Sequence, residues 1–98
     1  MFIIQRTEGF AHWLTNLKDK VTKARLLRRL EKAEMGLLGD VAPVGEGVME
    51  MREFFGPGWR MYYVQRGSVV IVMLGGGDKS TQQADIATAK ALAATLED

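Results

Sequence analysis

The chain has 98 residues, of which 47% are hydrophobic and 26% charged, with a net charge of +1. That length holds one small domain with one core, read as residues 1–98, and the composition is that of a soluble globule. The lack of cysteine excludes disulfides and thiolate metal sites, the single His12 excludes a histidine-rich metal centre, and no apolar run approaches the roughly 20 residues of a membrane span.

Met1-Phe2-Ile3-Ile4 has no basic stretch before it, so residues 2–6 read as a strand and not as a signal peptide. Phe10, Trp13, Leu14 and Leu17 then recur at helical spacing, with Thr7 placed to cap the helix. A second helix is predicted from about Asp19 to Glu34, with Val21, Ala24, Leu27 and Leu30 inward and Gly36 ending it. Residues 18–32 carry seven basic residues against two acidic ones. Such a stripe suits phosphate or an acidic partner, or is simply a solvated helix face.

From Val41 the period changes. Val41–Val44 reads as a short edge strand, since Pro43 lacks a ladder donor. After the Gly45-Glu46-Gly47 turn, Val48–Phe54 and Trp59–Val64 alternate about Phe55-Gly56-Pro57-Gly58, the pattern of a hairpin. Val69–Leu74 is apolar on both faces and is expected at the centre of the sheet. Gly75-Gly76-Gly77-Asp78-Lys79 then delivers charged groups to its end, and Ser80–Gln83 has capping-box spacing for a last helix with Ile86, Ala89, Ala93 and Leu96 on one stripe.

The expected fold is α+β, in the order β-α-α-β-β-β-β-α, with the helices on one face of a mainly antiparallel sheet. Strand alternation puts Met49, Met51, Trp59, Met61 and Tyr63 toward the helices. Glu50, Arg52, Arg60 and Tyr62 are left on an open face, with Asp78 and Lys79 at its rim. Guanidinium and ammonium groups on one surface suit a phosphodiester, and tyrosine can stack on a base. The plainer alternative is that Arg52 pairs with Glu50 or Glu53. The Gly-rich stretch is not a P-loop, because Asp78 and Met73 stand where that motif has glycine.

Taken together, several segments resemble one family. They are Phe10-Ala11-His12-Trp13-Leu14, Arg28-Arg29-Leu30, Val44-Gly45-Glu46-Gly47-Val48 with Glu50-Met51-Arg52, Gly56-Pro57-Gly58-Trp59-Arg60-Met61-Tyr62-Tyr63, and Gly76-Gly77-Asp78-Lys79-Ser80-Thr81-Gln82. Their order and spacing are similar to the phage-derived addiction-module killer proteins, a HigB-like branch of the RelE/ParE toxin superfamily. The resemblance implies a RelE-like domain and a cytoplasmic type II toxin that cuts mRNA on the ribosome without metal or cofactor. Arg60, Lys79 and Arg52 would be catalytic, and Tyr62, Asp78, Arg25, Arg28 and Arg29 would bind substrate. The alternatives are a ParE-like toxin that inhibits a protein such as gyrase, or a degenerate toxin. The implied partner is a helix-turn-helix antitoxin, which alone would contact operator DNA. It would shield either the face with Arg52, Arg60 and Lys79 or the second helix around Arg25, Arg28 and Arg29. After Tyr63 the chain has no tyrosine or histidine, so catalysis would rest on arginine, lysine and Asp78.

Overall fold

The computed structural model describes residues 1–96. The elements are β1 (Ile3–Arg6), α1 (Glu8–Thr15), α2 (Lys20–Glu34), β2 (Val41–Gly45), β3 (Val48–Arg52), β4 (Arg60–Arg66), β5 (Val70–Gly77), a 3-10 turn (Lys79–Thr81) and α3 (Gln82–Thr95). They form an α+β fold on one five-stranded sheet, ordered β1-β5-β4-β3-β2. β1 lies parallel to β5, and the other pairings are antiparallel. The apolar strand expected at the centre, β5, is interior but off-centre, because β1 adds to its outer edge and β4 takes the middle.

Local chemistry explains the helix ends. The Thr7 hydroxyl accepts from the Phe10 amide and donates to the Met73 carbonyl at 2.8 Å, which caps α1 and ties it to β5. Asp19 caps α2 through the Val21 amide and the Thr22 hydroxyl, and its carboxyl is held below the ordinary range, chiefly by the Thr22 bond. Gly36, at φ 88°, closes α2 with amide bonds from Gly36 and Leu37 back to the last turn. The capping box expected at Ser80 does not form. Asp78 instead accepts from the Ser80 amide at 2.8 Å, and the Thr81 hydroxyl donates to Asp85.

The expectation that all helices share one face is overturned. α1 and α2 cover one face, where Phe10, Leu14, Leu26, Leu30 and Ala33 pack on Met51, Met61, Tyr63, Ile71 and Met73. α3 covers the other, where Ala89 packs on Val48, Tyr62, Val64, Val72 and Leu74, with Ile86, Ala93 and Leu96 at the margin. The stripe of α3 is the one read from its spacing. The sheet face that receives it also carries Glu50 and Arg60, whose charges give it the alternation of an open surface.

The three glycines are the last residues of β5, not a loop. A Cβ at Gly76 would lie 2.4 Å from the Trp13 ring, and one at Gly77 would lie 1.9 Å from the Asp85 carboxylate. The bare backbone therefore lets α1 approach from one side and α3 from the other. Among the described residues, no helix is long and apolar enough to cross a membrane.

Candidate functional site

The inward stripe of α2 differs from the expected one. Thr22, Leu26, Leu30 and Ala33 are buried, whereas Val21 is 67% exposed. A rotation of the helix by about one residue spacing, roughly 100°, accounts for this. It turns Val21, Ala24, Arg25 and Arg28 outward together. They line a groove of about 610 Å³ with Lys20, Arg29, Lys32 and Glu53. Five of those eight side chains are cationic, so the groove attracts anions while Val21 and Ala24 give it an apolar floor.

The three arginines expected to bind substrate divide. Arg29 is a structural tie. It donates to the carbonyls of Leu38 at 3.0 Å, Arg52 at 2.9 Å and Asp40 at 2.7 Å, and pairs with Glu53. These bonds clamp the ends of β2 and β3 to α2 and leave Arg29 little capacity for a ligand. Arg25 and Arg28 are exposed. The Arg25 guanidinium lies 4.0 Å from the Phe55 ring centroid, a cation–π contact that holds it at the mouth of the groove.

On the second face, Arg60 and Tyr62 are 3% and 0% exposed. Neither reaches solvent, contrary to the expected open surface. The Arg60 Nε lies 3.8 Å from Glu50, and its Nη1 donates to the carbonyls of Glu53 and Trp59, both at 3.0 Å. Glu50 accepts a 2.8 Å bond from the side-chain amide of Gln82, which fixes the start of α3. Burial pushes the Tyr62 phenol above its ordinary value, and the Glu50 carboxylate adds to this, so the ring is a neutral core group and not an available stacking surface. Arg52 pairs with neither Glu50 nor Glu53. It reaches Asp40 at 2.8 Å, and that hydrogen bond raises its already high pKa.

Asp78 caps the 3-10 turn, and its bonds from Ser80 hold its carboxyl below the usual range. Lys79 is exposed, and its aliphatic stem lies against Gly58, where a Cβ would come within 3.0 Å. The loop of residues 53–59 thus has Arg25 on one flank and Lys79 on the other. At its start Phe54 is 73% exposed, with the Arg60 guanidinium 5.7 Å from the ring centroid. The alternation that predicts strands over Val48–Phe54 and Trp59–Val64 overruns the observed ones: β3 ends at Arg52 and β4 begins at Arg60, so Phe54 and Trp59 belong to the loop. Two adjacent aromatics before Gly-Pro-Gly were the signal available, because a rigid turn cannot bury both rings.

No family model matches the chain, and no solved structure matches it. It is 40% identical over 93 residues to an uncharacterized protein of Haemophilus influenzae, an alignment that covers 95% of this chain and 94% of that protein. The chain belongs to the same family as that Haemophilus influenzae protein.

Proposed function

We propose that this chain is the toxin of a type II toxin–antitoxin pair, and that it acts in the cytoplasm as a ribosome-dependent, metal-independent mRNA endoribonuclease. One observation carries the reading: cations flank the 53–59 loop on both sides, from the α2 groove and from Lys79. An RNA strand laid across the loop would meet Arg25 and Arg28 on one side and Lys79 on the other. In the reaction, the 2′-hydroxyl loses its proton to water as its oxygen attacks the adjacent phosphorus, the bond to the 5′-oxygen breaks and that oxygen takes a proton from water, leaving a 2′,3′-cyclic phosphate and a 5′-hydroxyl. Lys79, which is exposed, would stabilise the charge on the pentavalent phosphorus. Arg52 stands nearer solvent than Arg60 and would assist once released from Asp40. Arg60 would position the loop from below. The partner would be an acidic surface of a helix-turn-helix antitoxin, which would screen the same cations.

A second reading, a toxin that inhibits a protein target, gains support from the burial of Arg60 and Tyr62. That burial leaves the surface with few groups able to transfer a proton.

Induced expression in a bacterium, followed by mapping of mRNA 5′ ends, decides between them. New 5′ ends within translated frames, lost in Lys79→Ala at equal protein level, are expected. Growth arrest with intact mRNA would refute the endoribonuclease and leave the protein-target reading. Absence of arrest would refute both.

A further inference from the structure

An exposed phenylalanine needs no explanation when it stands alone on a mobile surface. Phe54 does not stand alone. Among the described residues it is the one aromatic among the strongly exposed large hydrophobics. Its loop is tied down on every side. The Glu53 amide donates to the Trp59 carbonyl at 3.0 Å, and the Gly58 amide to the Phe55 carbonyl at 3.1 Å. Arg60 holds the Glu53 carbonyl, and the Lys79 amide reaches Pro57 at 3.4 Å.

Beneath the ring lies a fixed column. Gln82 bonds to Glu50, Glu50 faces Arg60, and the Arg60 guanidinium lies 5.7 Å from the Phe54 centroid. The side chains of Glu50 and Arg60 are only 5% and 4% exposed, so the packed interior encloses the column, and the Arg60 Nη1 is held by the carbonyls of Glu53 and Trp59. A cation beneath one face of the ring leaves the other face to solvent, on a loop whose conformation is already set. Arg25 stands at Phe55 and Lys79 at Gly58, on either side.

We propose that Phe54 is a stacking platform for an unpaired base of single-stranded RNA, with Arg25, Arg28 and Lys79 engaging the flanking phosphates. The inference rests on the RNA-directed function above and names how that site takes its substrate. RNA is the occupant because the cations around the ring match a phosphate chain, and an aromatic face among cations is what a base with phosphates on both sides requires. Arg60 is then a positioning residue, held by Glu50 so that it supports the ring from below.

The test is fluorescence anisotropy with the full chain and a labelled unstructured RNA of about ten nucleotides, a length within the site sizes of single-strand binders. A matched oligomer with abasic positions is run beside it. Phe54→Ala is expected to weaken binding of the intact RNA by about 5- to 150-fold, the range for loss of one stacked base. Binding of the abasic oligomer should not change, and Phe54→Tyr should retain affinity. Phe54 is exposed, so the substitution opens no cavity, and an unchanged urea midpoint confirms the fold. Equal weakening of both oligomers would overturn stacking. If Phe54→Ala binds like wild type while Arg25→Glu with Arg28→Glu loses the RNA, the platform fails and the RNA reading stands. If wild type binds neither oligomer, the platform fails, and the ribosome-dependent reading is judged by the mapping of mRNA 5′ ends.

Discussion

Replacing Arg60 by alanine should remove a large part of the stability of this domain. On an open face the loss would cost little, but Arg60 and Glu50 are buried side by side, next to Gln82 at the start of α3, with side chains 4% and 5% exposed. Truncation removes two bonds to the carbonyls of Glu53 and Trp59 and the 3.8 Å ion contact. It leaves the Glu50 carboxylate with the Gln82 amide as its hydrogen-bond donor, at 2.8 Å. Breaking one side of a buried ion pair costs about 3–5 kcal/mol, against a total near 5–15 kcal/mol for a small domain. Glu50→Gln combined with Arg60→Met removes both charges at similar volume, and should cost only about 1–2 kcal/mol because no buried charge is stranded. Urea unfolding can be followed by the fluorescence of Trp13 and Trp59, whose rings lie 6.4 Å apart. The reasoning fails if Arg60→Ala unfolds at the wild-type midpoint, or if the double variant is less stable than Arg60→Ala.

The triple glycine should respond unevenly to alanine. Gly75→Ala meets nothing within 4 Å and should leave the urea midpoint unchanged, whereas Gly76→Ala drives a methyl into the Trp13 ring and should cost roughly 1–3 kcal/mol. Gly77→Ala falls between them, since the Asp85 carboxylate can move aside by giving up its bond from Thr81. Tyr62 predicts an alkaline limit. Its phenol stays neutral in the folded chain and ionises near pH 10 when unfolded. Stability is therefore complete below about pH 10 and falls as the pH rises toward the folded-state value. Tyr62→Phe should flatten that fall in urea midpoints measured across the alkaline range, with Tyr63, also raised by burial, supplying what remains.

Element order, the N-cap at Thr7, the Gly36 stop and the α3 stripe were legible because each depends on spacing within a few residues. The rotation of α2 was not. Val21, Ala24 and Leu27 form as regular a series as Leu26, Leu30 and Ala33, and only the sheet beneath decides which is buried. The role of Arg29 was equally hidden, since its acceptors are backbone carbonyls at Leu38, Asp40 and Arg52, which no side-chain pattern reveals. Arg25 and Lys79 were visible as charges, but their meeting about residues 53–59 is a product of the fold.

The misplaced helix has a more instructive cause. Arginine, glutamate and tyrosine on alternate positions ordinarily mark a solvated face, because charges are rarely buried unless paired. Here they are paired, with Glu50 and Arg60 offsetting each other and Gln82 completing the carboxylate. The same face also carries Val48, Val64, Val72 and Leu74, an apolar seat at the far end of the same strands. One face is thus divided along its length, apolar where α3 docks and polar where the 53–59 loop begins. The polar half would be a poor design for stability alone, since an apolar filling of the same volume does as well or better. Its position beneath the exposed Phe54 gives it another use: the buried carboxylate lies beside a guanidinium that faces the ring, and an apolar filling has no cation to offer that face.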